Sequence, residues 1–303
     1  MRSPLVHTFV LLGFLLATGG CNESFSPKAP FQQRLVSYSV LTTQSNAQYL
    51  LLYLNYNPPG FDPYSVTTIT YDTGATVVVS SPSKNFQFHD TLLSPTIHAF
   101  VAPLFRPLPG TSYVLSIVSS RYGTLSSSTT MPAQGYLSVA DQSRLLYPNS
   151  FSDQNIEIDC VLGQGAHGYL VRFFLDYSLE RDTTFRGTEQ IPISFGQDSL
   201  GLTAPIYPVL QRADGPKPIV MYPVENYLQT IVALTARYAT GIKPMGARLL
   251  LIQVDQSLYT YFNVANGFQD KFSIRTDQPD YSNIRNGLGI FGSFNVDSTI
   301  IRY

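Results

Sequence analysis

Two acidic side chains, Glu157 and Asp159, have a spacing that could do chemistry. They alternate with Ile156, Ile158 and Cys160, and this period of two predicts a strand with both acids on one face, roughly 7 Å apart. Carboxylates at such a separation hydrolyse glycosidic bonds when they face each other across a cleft. Acids that alternate with apolar residues are more typical of a solvated strand face. Hydrolysis of glycan or peptide therefore stands as an alternative function.

Two glycine-rich strings match the G-x-G-x-x-G pattern of dinucleotide sites. The first, at 163–168, precedes a run at 169–177 with strand alternation, whereas a phosphate site needs a helix to begin there. We therefore predict a hairpin loop. The second string contains Gly287, Gly289 and Gly292 and lies too near the end of the sequence for a βαβ unit. These glycines are expected to permit a bulge or close backbone packing.

The remaining residues with catalytic or ligand chemistry are sparse. Ser81 and Lys84 have the S-x-x-K spacing of penicillin-recognising enzymes, but the preceding strand and an internal Pro predict a polar turn instead. The histidines after the N-terminal segment lack the spacing of zinc ligands, and no EF-hand loop is present. These histidines are His89, His98 and His167. We expect neither a metal site nor a cofactor.

The N-terminal segment carries a different chemistry. Arg2 is followed by an apolar run, Leu5–Leu16, and by small residues that lead to Cys21, and this pattern predicts a secretory signal over 1–20. Two glycines before the cysteine are typical of a bacterial lipobox, in which the thiol receives a lipid and the chain is cut just before it. Cys21 is thus the predicted lipidation site, and residues 21–34 form a polar tether. Cleavage without lipidation is the alternative.

Composition limits the remaining classes of protein. The 303 residues contain 19 Lys and Arg and 20 Asp and Glu, a net charge of −1, and charged residues are 13% of the chain. A nucleic-acid binder needs a concentrated basic surface, so this balance argues against one. Tyr and Phe are abundant and Trp is absent, and the chain is too apolar to be disordered. If Cys21 carries lipid, Cys160 is expected to be a buried, inert thiol.

Residues 35–138 are predicted to form an immunoglobulin-like or fibronectin-III-like β-sandwich. Short strands with period-two alternation, such as 35–41 and 48–56, are separated by Pro and Gly turns. The sequence from Gly110 to Tyr113 resembles the start of the penultimate strand of such domains. There a Tyr hydroxyl bonds to the backbone at the corner and the ring joins the core. Gly110 and Tyr113 are therefore the structural residues expected at this corner.

Residues 139–303 are predicted to form a second β-rich domain with one short helix. The helix is predicted near 258–266 because apolar residues there have helical spacing, with Ser257 as N-cap and Gly267 as stop. A long ordered loop, rich in Pro and Gly, is predicted over 196–227. Strands are predicted at 156–162, 169–177, 191–195, 230–238, 248–254, 271–275 and 289–303.

Several motifs along the chain carry a family resemblance. They are Cys21, LVSYSVL followed by QYLLLYLNYNPPG, GATVVVS, PGTSYVLSI with the TTMP boundary, and NGLGIFGSF. With these motifs the chain resembles an uncharacterised family of bacterial lipoproteins, catalogued as a domain of unknown function. The resemblance implies a two-part β-rich envelope protein, often encoded beside a TonB-dependent outer-membrane receptor. It implies no catalytic residues, since none are established for the family.

The sequence predicts a mainly β, lipid-anchored protein of the cell envelope, with an acyl group such as palmitate on Cys21, and the resemblance implies a place at the outer membrane. Its expected role is non-enzymatic binding or accessory work. The expected partners are the membrane and an outer-membrane receptor or another envelope protein. An outer-membrane β-barrel is a further alternative, since low charge and many Tyr residues suit one. Strands that are apolar on both faces favour a packed sandwich over a polar lumen.

Overall fold

The computed structural model of the protein describes residues 31–57, 68–182, 184–197, 201–266 and 281–303. Over these ranges the chain is mainly β, as the alternation predicted. The strands are β1 (Leu35–Thr42), β2 (Ala47–Leu54), β3 (Thr76–Ser80), β4 (Asn85–Ser94), β5 (Ile97–Pro103), β6 (Ser112–Ser119), β7 (Gly123–Thr130), β8 (Tyr136–Val139), β9 (Asn155–Val161), β10 (Gly168–Leu179), β11 (Gly187–Gln190), β12 (Ser194–Gln197), β13 (Thr203–Ile206), β14 (Gln211–Arg212), β15 (Ile219–Pro223), β16 (Ile242–Val254) and β17 (Leu288–Arg302). The helices are α1 (Ser143–Leu146), α2 (Val224–Tyr238) and α3 (Gln256–Asn266), and a short 3-10 helix covers Pro148–Phe151.

Strands β1 to β7 form two packed layers, called here the N-terminal sandwich. One layer contains β1, β2 and β5, and the other contains β3, β6 and β7. Strand β4 belongs to both, because residues 85–88 pair with β3 and residues 89–94 pair with β5. The core between the layers is apolar and includes Leu41, Leu50, Val77, Leu115 and Phe291. The predicted immunoglobulin-like sandwich is confirmed.

A tyrosine closes the corner that leads into β6. The Tyr113 hydroxyl accepts a hydrogen bond from the backbone N–H of Leu108 at 2.7 Å, while its ring is buried beside Phe105. Gly110 has a φ of +72°, and its N–H donates to the carbonyl oxygen of Met131 at 3.0 Å. The left-handed φ at this turn favours glycine, because the Cβ of any other residue would crowd its own backbone. This is the corner arrangement that the G-T-S-Y sequence predicts.

Strands β8 to β16, with α1 and α2, form the C-terminal module. Its small sheet, in the order β15-β9-β8, packs over the long strands β10 and β16. The core is centred on Phe173 of β10, whose ring packs against Tyr222 of β15 and Tyr227 of α2, with centroids 5.4 and 5.8 Å away. The Tyr222 hydroxyl donates to the carbonyl oxygen of Val171 at 2.9 Å, so the buried phenol keeps a partner.

One long strand joins the two parts. Residues 288–294 of β17 pair in parallel with β1, and residues 294–302 pair antiparallel with β16. The strands therefore follow one another without a break in the order β11-β10-β16-β17-β1-β2-β5-β4-β3-β6-β7. At the parallel contact, a Cβ on Gly289 would lie 2.0 Å from the carbonyl oxygen of Ser37. The glycine at position 289 therefore allows β1 and β17 to lie close enough to pair.

A buried polar network lies where the N-terminal sandwich meets β17 and α3. The Thr129 hydroxyl of β7 lies 2.5 Å from Asp255 Oδ2 and 2.8 Å from the Ser293 hydroxyl. Further along, Gln253 donates to Asp297 Oδ2 at 2.8 Å. Because buried polar groups need partners, these contacts fix the strands relative to one another.

Several sequence predictions in the C-terminal module are wrong, among them the strand at 191–195, because residues 191–193 lie between β11 and β12. Residues 230–238 form the second half of α2, although β-branched residues there indicated a strand. Tyr227, Thr230 and Leu234 lie at helical spacing and are buried on one face, so packing overrides local preference. The stretch 196–227 also contains strand residues of β12 to β15 and the start of α2, where a loop was predicted.

The helix predicted near 258–266 is α3, but it begins earlier. Asp255, and not Ser257, is its N-cap, because Asp255 Oδ1 accepts the backbone N–H of Leu258 at 2.9 Å. The predicted stop at Gly267 and the strand predicted at 271–275 lie outside the described residues.

Candidate functional site

The predicted lipidation site, Cys21, lies outside the described residues, as do the signal over 1–20 and the first part of the tether. The other cysteine, Cys160, is a free thiol buried in β9. Burial raises its pKa to about 12, so it has little thiolate at neutral pH. No helix among the described residues has the length and apolar character needed to cross a membrane.

The two acidic residues of β9 do not face each other across a cleft. Glu157 and Asp159 share one strand, and the β15 residues opposite them are Met221 and Ile219, both exposed. Glu157 forms an ion pair with Arg144, whose Nη1 lies 3.3 Å from Oε1. This is the geometry of a partly solvated strand face, in which the two carboxylates are neighbours rather than opposed groups.

The first glycine string, 163–168, connects β9 to β10, which belong to different sheets. The predicted hairpin is therefore wrong, because the two strands pair with other partners and the chain crosses between layers. The string is followed by a strand, so no helix N-terminus faces it. In the second string, a Cβ on Gly287 would lie 2.5 Å from Leu125 Cδ2, and one on Gly292 3.0 Å from Leu258 Cβ. These glycines permit close packing.

The S-x-x-K string forms the turn between β3 and β4. Ser81 Oγ accepts the backbone N–H of Lys84 at 3.1 Å, so the hydroxyl is used by the turn. His98 Nδ1 lies 3.4 Å from Asp90 Oδ1. Within the part of the chain that the structure describes, no group of three or more His, Cys, Asp or Glu residues could hold a metal ion.

The most distinctive surface feature is a continuous series of aromatic rings, called here the aromatic row. Neighbouring ring centroids are 5.5 to 6.5 Å apart, with one stacked pair, Tyr38–Tyr53, at 6.1 Å, and several edge-on contacts. Aromatic pairs at such distances attract each other, so the rings hold one another in place. In spatial order the row consists of His98, Tyr71, Tyr53, Tyr38, Tyr261 and Phe262.

Five separate segments position this row, and His98 comes from β5. Tyr38 belongs to β1 and Tyr53 to β2, which pair antiparallel, so both rings stand on the outer face of the sheet. Tyr71 forms an isolated bridge with Tyr53. Tyr261 comes from α3, which sits against β17 at Gly292. The row therefore exists only when the N-terminal sandwich, β17 and α3 are assembled.

Open cavities flank the aromatic row. One, of about 590 Å³, lies beside Tyr71 and His98 and is lined by Thr68, Ile69, Thr73 and residues 95–98. The other, of about 420 Å³, lies beside Tyr38 and is lined by Tyr49 and other residues of β1 and β2 and of the turn that joins them. Apart from His98, the lining residues have no titratable group other than tyrosine phenols.

The two central phenols of the row, Tyr38 and Tyr53, are uncharged at physiological pH. Burial raises the pKa of Tyr38 and of Tyr53 above the ordinary value, and for Tyr38 a hydrogen bond with Tyr261 adds to this effect. The phenols therefore stay protonated and offer hydroxyl donors and acceptors beside apolar ring surface. Such a surface can contact neutral polar ligands or polypeptide, since each ring gives large area with little entropy cost.

Sequence reasoning did not find this row. The alternation of Tyr49, Leu51 and Tyr53 could have placed those side chains on one strand face. Tyr71 and Tyr261 reach the row through pairing and helix packing between distant segments, and no local pattern signals that.

Comparison with known proteins assigns the family. The family model of the domain of unknown function DUF4249 matches residues 23–300. The comparison with curated proteins returned no match. Among solved structures, the chain is similar to the chicken CNTN1 FN1-FN3 domains, with 10% identity and a TM-score of 0.21, over 90% of this chain and 66% of that one. This likeness is too low to add to the fold seen directly in the strands. The chain belongs to the DUF4249 family, whose function is not known.

Proposed function

We propose that this protein is a lipid-anchored binding protein of the cell envelope, with the aromatic row as its contact surface. The observation that carries the proposal is the row itself, a series of stacked and edge-on rings with open cavities beside Tyr71 and Tyr38. A surface cluster of this kind provides a rigid aromatic platform, which suits recognition of a partner.

The anchor in this proposal is an acyl group on Cys21, at the outer membrane. The lipobox-like sequence before Cys21 supports it, and residues 21–34 would give the folded part freedom to meet a partner. The proposed partner is an outer-membrane receptor or another envelope protein, in keeping with the resemblance described above.

Replacement of the anchor residue tests the first half of the proposal. The Cys21→Ser variant is expected to leave the membrane fraction while the wild type stays in it. Intact mass of the native protein should show acyl chains added to a chain that begins at Cys21. A variant that remains membrane-bound, or a native mass without acyl chains, would contradict the anchor.

Site-specific photo-crosslinking in the native envelope tests the second half. A photoreactive residue in place of Tyr49 or Phe262 lies beside or within the aromatic row. One in place of Tyr147 is more exposed than either and lies in the C-terminal module. We expect the same discrete adduct from positions 49 and 262 and none from 147. Absence of an adduct from both row positions, or equal adducts from all three, would refute the row as the contact surface.

A further inference from the structure

The chain enters the N-terminal sandwich at one defined end, called here the Leu35 end. The backbone N–H of Arg34 donates to Asn55 Oδ1 at 2.6 Å, and the N–H of Asn55 returns a bond to the carbonyl oxygen of Arg34 at 3.0 Å. The Tyr122 hydroxyl also lies 3.3 Å from Gln33 Oε1. Residues 33–34, the last two of the proposed tether, are thus held against this end.

The turn between β4 and β5 lies at the same end. Leu54 of β2 pairs with Leu35, and Leu50 pairs with Phe100 of β5. Because β5 runs antiparallel to β2, the turn just before Ile97 lies level with Leu54 and Leu35. The 94–97 turn therefore points away from the C-terminal module, in the direction from which the tether comes.

This turn exposes large apolar side chains. Leu92, Leu93 and Ile97 are 57%, 49% and 43% exposed, and the neighbouring Ile69 is 51% exposed. Phe31 and Tyr56, at the same end, are exposed as well. Large apolar side chains grouped at one turn mark a candidate interaction surface, because water contact with each of them is unfavourable.

Three arginines accompany these apolar residues. Arg34, Arg121 and Arg285 are exposed on strand ends and turns near Leu35. Asp72 and Asp90 also lie at this end, but Asp72 accepts a hydrogen bond from Ser119 at 2.7 Å and Asp90 lies against His98. Apolar side chains and arginines at the same end of a fold match the interface of a bilayer, where acyl chains meet anionic headgroups.

We propose that the Leu35 end rests on a lipid bilayer, with Leu92, Leu93 and Ile97 inserted among the headgroups. The proposal rests on the lipid anchor at Cys21, since the 13 tether residues that follow Cys21 hold this end within about 45 Å of the membrane. Such a tether raises the local concentration of the apolar turn at the lipid surface, so a contact too weak to bind from solution becomes populated. The C-terminal module then points away from the membrane.

The orientation can be measured with tryptophan reporters, because the natural sequence contains no Trp. The chain from residue 22 carries an N-terminal histidine tag and is attached to vesicles of phosphatidylethanolamine and phosphatidylglycerol that contain a nickel-chelating lipid. The tag replaces the acyl group, so the result does not depend on whether Cys21 is lipidated in cells. One reporter is Leu93→Trp, and its matched control is the exposed Tyr147→Trp.

We expect the emission of the Leu93→Trp protein to move to shorter wavelength on vesicles and to lose most of its intensity when the lipids carry bromine. The control should change little. Adding Leu92→Asp and Ile97→Asp should abolish the shift, while an unchanged unfolding midpoint in solution shows that the fold is intact. Equal quenching at both positions, no quenching at position 93, or a dimer in solution that hides position 93 would overturn the proposal. If the Cys21→Ser variant stayed in the membrane fraction, that result would instead refute the anchor of the proposed function.

Discussion

The Thr129 hydroxyl donates a hydrogen bond of 2.5 Å to Asp255 Oδ2, and this bond joins β7 of the N-terminal sandwich to the start of α3. The other oxygen of Asp255 accepts the backbone N–H groups of Leu258 and Ser293 at 2.9 and 3.2 Å. One carboxylate therefore caps a helix, holds β17 and contacts the sandwich. Burial raises the pKa of Asp255 in spite of these bonds.

The raised pKa gives a prediction for the pH dependence of stability. Folding favours the protonated form of Asp255. The contribution of this group to the free energy of unfolding is therefore complete below its pKa in the unfolded chain, which is about 4, and is lost as pH rises through its pKa in the folded protein. Asp255→Asn removes the titrating carboxyl group, so the stability of the variant lacks this dependence on pH. Urea unfolding should therefore show the variant at its greatest disadvantage to wild type near pH 4, with the difference shrinking toward pH 7.

Asp141 supplies a control of opposite sign. Hydrogen bonds from Ser143 lower the pKa of Asp141, so its contribution is present above the unfolded value and is lost as pH falls. The disadvantage of Asp141→Asn should shrink toward low pH instead. A disadvantage of Asp255→Asn that is constant with pH, or grows toward neutrality, would contradict the assignment.

The tyrosine corner predicts the cost of losing one hydroxyl. Tyr113→Phe keeps the buried ring but leaves the Leu108 N–H without its acceptor, so we expect a loss of about 1–3 kcal/mol in the free energy of unfolding. Tyr122→Phe, which removes an exposed contact to Gln33, should cost less than about 0.5 kcal/mol. Equal costs in urea denaturation would show that the corner bond does not matter.

The contact between β1 and β17 predicts a severe effect at Gly289. Gly289→Ala places a methyl group 2.0 Å from the Ser37 carbonyl oxygen, at a φ of +108°. We expect a loss of more than about 4 kcal/mol, or failure to fold. Gly123→Ala is the matched control, since its φ is +80° but nothing lies within 4 Å of the added methyl. That change should cost about 1–2 kcal/mol, from backbone strain alone.

Thiol counting tests Cys160 and Cys21 together. The buried thiol of Cys160, with its raised pKa, should not react with a disulfide reagent in the folded protein. After denaturation, one thiol per chain of the natively processed protein should react if Cys21 carries a thioether-linked lipid. Two equivalents would mean that Cys21 is free, and a fast reaction before denaturation would mean that β9 opens.

Local pattern was a good guide to strands but a poor guide to long-range arrangement. Alternation in segments such as LVSYSVL predicts β1 because one face of that strand is buried, and the G-T-S-Y sequence predicts the Tyr113 corner because the geometry is local. The strand predicted at 230–238 was wrong. The β-branched side chains there favour strands, but burial of Thr230 and Leu234 on one helical face decided the structure. The aromatic row could not be predicted, since Tyr38, Tyr71 and Tyr261 meet only through tertiary contacts.

The shared strand β17 imposes an order on folding. β1 emerges early in synthesis, yet its parallel neighbour follows about 250 residues later, and a contact so distant in sequence forms slowly. Until then β1 keeps an unpaired edge that could join a neighbouring chain. A protein truncated before residue 288 should therefore aggregate rather than persist as a stable fragment.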